Sequence, residues 1–192
     1  MELNWGSAKE WVKLTQRTAI GNFIKEFGIT LSILTKSLPL NPHDYLEIKE
    51  KESSPELQKR YQSLLESLLY IAHHTRPEIT PYTNLLGRRT SLATSSNLKT
   101  GLQVLQYLTP SLPDGIIIKR EGSREQTSEN PLNIWGYADA SYEGKKANSQ
   151  SGSLVLLNGQ VVIWSSGRRD TTIQSITEAE YIVCSETMKD IR

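Results

Sequence analysis

The chain has one cysteine, two phenylalanines and almost no net charge, +1 over 192 residues. Each scarcity excludes something. A lone Cys184 cannot close an internal disulfide, which fits a reducing compartment. Its place in an apolar helical run reads as a small buried hydrophobe rather than a nucleophile. So small a net charge sets up no basic field that would announce nucleic acid by itself, although a local patch is compatible with it. No apolar run reaches the roughly 18 residues of a membrane-spanning helix. Met1 is not followed by a basic and then an apolar segment, so no secretory signal is expected. Hydrophobic residues make up 37%, enough to form a core for one domain or two small ones.

What is present changes character part-way along. The first third reads as helical: in "SAKEWVKLTQRTAIGNFIKEFGI", Trp11, Leu14, Ile20, Ile24 and Phe27 fall near helical spacing, and Gly28 is a plausible stop. The proline-rich "LTKSLPLNPHDYLEIKEKESSP" reads as a linker or surface wrap. In "SPELQKRYQSLLESLLYIAHHT", Ser54 can cap a helix and Pro55 suits its first position. Leu57, Tyr61, Leu64, Leu65, Leu68 and Ala72 share one face of that helix. Arg76-Pro77 ends it. Adjacent on a helix, His73 and His74 point about 100° apart and read as structural or exposed. Further helices are expected in "EITPYTNLLGRRTSL" and in "NLKTGLQVLQYL", the latter capped by Asn97.

After "TPSLPDG" the pattern is that of strands. "IIIKR" and "LNIWGYAD" read as strands, and "SGSLVLL" and "QVVIWSS" as a hairpin turning on Asn158-Gly159. A helix from Thr177 follows. The class is therefore α+β, with a boundary near residue 113.

Two carboxylates stand out. Thr177 and Glu180 in "SITEAEYIV" have the spacing of a capping box, with Ile176 and Tyr181 placed for a hydrophobic staple. Glu178 and Glu180 also suit the positive end of the helix dipole. Asp139, at a strand end before small Ala140, is either a turn residue or one facing a metal or ligand. A helix packed across the sheet would bring Glu180 toward Asp139, two hard oxygen ligands as Mg²⁺ requires. Glu180 as cap partner and Glu180 as ligand both remain open on these grounds.

The order of motifs carries more. "GYADASYEG…SQSGSLVLLNGQVVIWSSGRRDTTIQSITEAEYIVCSETMK" closely resembles the ribonuclease H region of copia-type (Ty/copia) retrotransposon Pol polyproteins. "YQSLLESLLYIAHHTRPEI" and "LKTGLQVLQYLTPSLPDGIIIK" resemble the same family upstream, and "QRTAIGNFIKEFGI" more loosely the helical end of its reverse transcriptase. The resemblance implies two regions. Residues 1–112 would be a mainly helical thumb or connection segment. Residues 113–192 would be a truncated ribonuclease H-like domain, a three-stranded antiparallel sheet with one helix. Asp139 and Glu180 would be the catalytic and metal-binding acids, with Mg²⁺ or Mn²⁺ as cofactor if the site functions. RNA–DNA hybrid and the remainder of a Pol polyprotein would be partners, with no membrane involved. The location would be cytoplasmic, with virus-like particle and nucleus as the family's other sites.

The departures shape the functional expectation. Ser141 and Tyr142 stand where the family has Asp and Trp, and Lys145 replaces another acid. Glu66 replaces a helix glycine, and Glu78 follows Thr-Arg-Pro in place of Asp. The polymerase's aromatic-x-Asp-Asp motif is missing. The family's strand with a third acid lies beyond this helix, and Asp190, three turns from Glu180, cannot replace it. The expectation is a retrotransposon-derived fragment of a reverse transcriptase–ribonuclease H, inactive as the isolated chain. The alternatives are an active metal-dependent ribonuclease H and a non-catalytic nucleic-acid-binding module. In the last, Arg168 and Arg169, and less so Lys145 and Lys146, would contact phosphates.

Overall fold

A computed structural model describes residues 1–29, 39–40, 53–120, 133–141, 150–168 and 175–191. The proline-rich linker, apart from Pro39, Leu40 and Ser53 to Pro55, lies outside these residues, as do Arg169, Lys145 and Lys146. The elements in order are β1 (Glu2–Trp5), β2 (Trp11–Thr15), α1 (Arg17–Glu26), α2 (Pro55–His74), a 3₁₀ turn (Pro77–Ile79), α3 (Thr80–Gly87), α4 (Ser95–Tyr107), β3 (Gly115–Lys119), β4 (Ile134–Ala140), β5 (Gln150–Leu157), β6 (Gln160–Arg168) and α5 (Ile176–Ile191). The fold is α+β, as the patterning implied. Strands β1-β2-β3 form one sheet and β4-β5-β6 another. The chain divides into two compact units: Met1–Asn4 with Lys13–Ile116, and Trp5–Val12 with Ile117–Arg192.

The expected N-terminal helix is only half right. Residues Trp11–Thr15 are a strand, and helix begins at Arg17. Gly6 N–H donates to Trp11 O at 3.0 Å, Lys9 N–H donates to Gly6 O at 2.9 Å, and Lys9 takes a φ of 56°. A Cβ at Gly6 would lie 2.6 Å from the Trp11 indole nitrogen, so the partly exposed indole packs directly over the turn. The run of Trp11, Val12 and Thr15, rich in β-branched and aromatic residues, belongs to the strand that leaves this turn.

The core of the first unit is helical. Ile20, Ile24 and Phe27 of the α1 region join Tyr61, Leu64, Leu68 and Ile71 of α2, Leu86 of α3, and Val104 and Leu105 of α4. Ser54 caps α2 by accepting from Leu57 N–H at 3.2 Å, and Pro55 opens it. Helix α4 begins earlier than expected. Its cap is Thr94, and Asn97 is the return partner: Asn97 N–H donates to Thr94 Oγ1, and Asn97 Oδ1 accepts from Thr94 N–H. Close approach of α2 and α4 requires Gly101, where a Cβ would sit 2.8 Å from Leu64 Cδ2.

Several polar groups at the ends of these helices are buried and paired, while Thr80 Oγ1, Asn97 Nδ2 and Thr109 Oγ1 are buried without a partner among the described residues. Thr75 Oγ1 donates to the buried Gln16 Oε1 at 2.6 Å, while Gln16 Nε2 reaches Tyr70 O at 3.3 Å. Arg76, only 3% exposed, donates to Glu78 Oε1, to Ser111 O at 2.9 Å and to Ser111 Oγ at 2.7 Å. Its planar fork thus ties the end of α2 to the segment after α4. At the start of α1 no side chain of the capping residue Gln16 bonds the helix. Glu2 does so from a distance, accepting from Thr18 N–H at 2.7 Å and Thr15 Oγ1 at 3.1 Å. His73 and His74 are exposed, His74 bonding Tyr70 O within its own helix.

In the second unit β5 and β6 turn on Asn158 and Gly159, with φ of 50° and 75°. Two successive positive φ values give the turn whose twist matches an antiparallel pair. Strand β4 adds antiparallel to β5 with Gly136 opposite Val155 and Asp139 opposite Gly152. At the other edge, Gln160 uses its side chain as a strand would use backbone. Its Oε1 accepts from Lys119 N–H at 2.7 Å and its Nε2 donates to Lys119 O at 3.0 Å.

Two outcomes follow in the first unit. Arg76→Ala strands Ser111 and Glu78 without their partner and should lower stability by about 3 kcal/mol in urea unfolding, and Arg76→Lys should not restore it. Hydrogen bonds from Thr18, then Thr15, hold the Glu2 carboxyl below its ordinary value of 4.5. A depressed carboxyl stabilises the fold above that value and loses the contribution as pH falls through its lower folded value. Unfolding of Glu2→Gln should therefore differ from that of the parent at neutral pH, with the difference shrinking as the solution is acidified below about pH 4.5.

Candidate active site

The site region rests on small residues. Ala138 and Ala140 of β4 pack against Ala179 and Val183 of α5. One step earlier on the same face, a Cβ at Gly136 would lie 3.0 Å from Ile191 Cδ1 and 3.1 Å from Thr187 Cγ2. Val155, opposite Gly136, is buried on that face too. The buried positions of α5, Ala179, Val183 and Thr187, recur every four residues, and Glu180 is half-buried beside them. Seven residues bring the helix round to within about 20°, so Glu180 shares the sheet-facing side with Thr187.

The start of α5 differs from the expected capping box. Ser175, not Thr177, is the cap: its Oγ accepts from Glu178 N–H at 3.1 Å and its carbonyl from Ala179 N–H at 3.2 Å. Glu178 therefore occupies the third helical position, and Glu180 is two residues too far in to return a bond to the cap. Nor is the staple made, since Ile176 is 62% and Tyr181 77% exposed. The shift arises because Ser175 and Glu178 have the same box spacing as Thr177 and Glu180. Glu180 is thereby released from the structural role that its spacing offered.

Asp139 sits in register between Ala138 and Ala140. Side chains alternate along a strand, so Asp139 shares the face of β4 opposite α5 with Trp135 and Tyr137. It is exposed, and no hydrogen bond or ion pair holds its carboxylate among the described residues. Next to it, Ser141 extends the ladder: its N–H donates to Gln150 O at 2.8 Å, and its hydroxyl accepts from Gln150 N–H at 3.1 Å. Arg168, the last residue of β6, pairs with Gln150 and falls by the same alternation on Asp139's face. Among the described residues, no group of three or more His, Cys, Asp or Glu gathers where a metal ion would be held. Cys184 is exposed on α5, contrary to its reading as a buried hydrophobe, because its position turns away from the Ala179–Val183 stripe.

Comparison with known proteins gives this arrangement its context. The chain is 30% identical over 182 residues to the retrovirus-related Pol polyprotein from transposon RE1 of Arabidopsis thaliana. That match covers 93% of the chain and 12% of the polyprotein. It is 31% identical over 175 residues to a putative transposon Ty5-1 protein of Saccharomyces cerevisiae, covering 88% of the chain and 51% of that protein. The chain is a homologue of copia-type retrotransposon Pol polyproteins. It thus spans between about an eighth and a half of the length of these two relatives. It is also 29% identical over 132 residues to the secreted RxLR effector protein 161 of Plasmopara viticola, covering 87% of that protein. No family model matches the chain, and no solved structure does.

Two of the Pol-like motifs acquire a physical role. Thr75-Arg76-Pro77 is a buried polar clamp followed by a 3₁₀ turn. Ser175, with Thr177 to Tyr181, caps a helix and lays Ala179 on the sheet. Sequence reasoning missed the clamp because burial of a lone Arg has no periodic signal. It also missed the exposed pair Trp135 and Tyr137, which read as ordinary strand residues. Their strict i, i+2 spacing was the available clue.

Ser175→Ala should cost about 1 kcal/mol in thermal or urea unfolding, the usual value of a lost cap. Thr177→Ala should stay within about 0.5 kcal/mol of the parent. The reverse order would restore Thr177 as the cap.

Proposed function

We propose that the chain is the helical end of a copia-type reverse transcriptase, residues 1–112, joined to the first part of a ribonuclease H-like domain, residues 113–192, and that it is catalytically inactive on its own. The observation that carries the reading is the antiparallel sheet β4-β5-β6 with α5 packed on one face through Ala138, Ala140, Ala179 and Val183. Its order, strand, hairpin, helix, is the one in which the resemblance puts Asp139 and then Glu180.

Inactivity rests on where the two acids lie among the described residues. In-line phosphodiester hydrolysis by a metal pair needs several carboxylates around two ions about 4 Å apart. Asp139 is on the far face of β4, and Glu180 is on the helix that covers the near face. Those two residues alone do not fit such a pair. The polypeptide's own contribution to hybrid degradation is then limited to binding, with Arg168 as a phosphate contact. Within this reading the chain acts in the cytoplasm, alongside the remainder of a Pol polyprotein.

One observation favours a second reading, an active ribonuclease H running on Mg²⁺ or Mn²⁺. Glu180 is not used by the helix cap, so its carboxylate is available.

Incubation of the purified chain with a labelled RNA–DNA hybrid, in Mg²⁺ and in Mn²⁺, separates the two. The expected result is an uncut hybrid with the parent, with Asp139→Asn and with Glu180→Gln. Metal-dependent cleavage by the parent that vanishes in both variants would overturn inactivity and establish the second reading.

A further inference from the structure

The sheet β4-β5-β6 has a second face, and it is unlike a solvent-facing sheet surface. Strand alternation and the paired register define it in rows. Tyr137, Leu154 and Trp164 form one row across the three strands, and Asp139, Gly152 and Ser166 the next. Trp135 flanks the first row, and Gln150 with Arg168 flanks the second. Trp135 is 59% exposed and Tyr137 56%. Two large aromatic rings side by side on the open face of a strand expose more apolar surface than scattered single residues do.

We propose that this face is a stacking surface for single-stranded nucleic acid. Trp135 and Tyr137 are two residues apart on one strand, about 6.7 Å along it, and present two neighbouring aromatic platforms. Exposed aromatics on a sheet take unstacked bases, and any base offers its π-face to them. In a duplex those faces are already occupied by neighbouring bases, so single strands are preferred. Gly152 carries no side chain, and a Cβ there would meet only Ser165 O, at 3.9 Å. The row beside the aromatics is therefore low and open enough for a sugar or a further base.

The charges specify the orientation. Arg168 has no acid partner among the described residues and closes the polar end of the face. It lies two strands across and one row along from Asp139, and no ion pair joins the two. Arg168 is thus available for a phosphate. Asp139 repels phosphate over its own row, which leaves that row to a base amino group or a sugar hydroxyl as donor. A protein partner fits less well, because charged groups are depleted from the core of protein interfaces and this face carries two of opposite sign, unpaired. The proposal does not depend on whether the chain cleaves RNA, and the cleavage assay neither supports nor weakens it.

The test is fluorescence anisotropy of end-labelled oligo-uridine and oligo-thymidine of equal length, titrated with the full chain over a range of salt. Both should bind, and tighter binding of the uridine strand would identify a 2′-hydroxyl contact in the Asp139 row. Trp135→Ala and Tyr137→Ala should each weaken binding about tenfold, the scale of one lost base–aromatic stack. Trp135→Phe should keep most of the affinity. Arg168→Ala should reduce the salt slope by about 0.7, one phosphate's worth for a single strand. Tyr181→Ala, an exposed aromatic on α5, should bind like the parent. The proposal is overturned if both aromatic variants bind like the parent, or if neither strand binds at low salt. It is also overturned if the chain forms dimers that Trp135→Ala dissolves, which would make the face a self-association surface.

Discussion

The second unit depends on how closely α5 lies on β4. Gly136, Ala138 and Ala140 offer almost no side chain on the helix-facing side of the strand, and Ala179, Val183 and Thr187 answer from the helix. Close approach compensates for small residues, since dispersion falls off steeply with any gap. The same choice dictates the other face. With period-two alternation, giving the small residues to the helix assigns Trp135, Tyr137 and Asp139 to the opposite side. The placement of the acid, the exposure of the aromatics and the orientation of Arg168 all follow from one packing contact.

The first unit is stabilised differently. Its helices bury a broad aliphatic core from Ile20 to Leu108, and its buried polar groups are concentrated where helices end. Gln16 bonds Thr75 and the Tyr70 carbonyl, and Arg76 separately bonds Glu78 and Ser111, so two sets of bonds serve the end of α2. A motif that identifies a family by sequence thus serves as a structural joint.

Regular elements were legible in the sequence where periodicity and turn chemistry agreed. Ser54-Pro55 and the leucines of α2, the Asn158-Gly159 turn and the alternating runs on either side of it all carry local signals that the fold respects. The errors fell where two local rules competed. Trp11 to Leu14 fits a helical stripe and also a strand, and the turn at Gly6 and Lys9 decided between them. Two capping boxes overlap in "SITEAE", and the earlier one caps the helix. Asn97 looked like a cap because it is a cap's partner. Asp139 and Glu180 could be singled out as candidates from the sequence, but the face of the strand to which Asp139 belongs could not. Parity depends on which alanines meet the helix, and that is a tertiary fact.

The paired bonds between Gln160 and Lys119 have a consequence for assembly. A carboxamide is among the few side-chain groups that can both accept from a backbone N–H and donate to the same residue's carbonyl. Here it does so at Lys119, the last residue of β3, where a neighbouring strand would otherwise read those two groups. Main-chain donors and acceptors used within the molecule are closed to a second molecule seeking a strand to extend. One glutamine thus acts as a stopper against propagation, at a place where a short run of isoleucines, Ile116 to Ile118, would otherwise invite it.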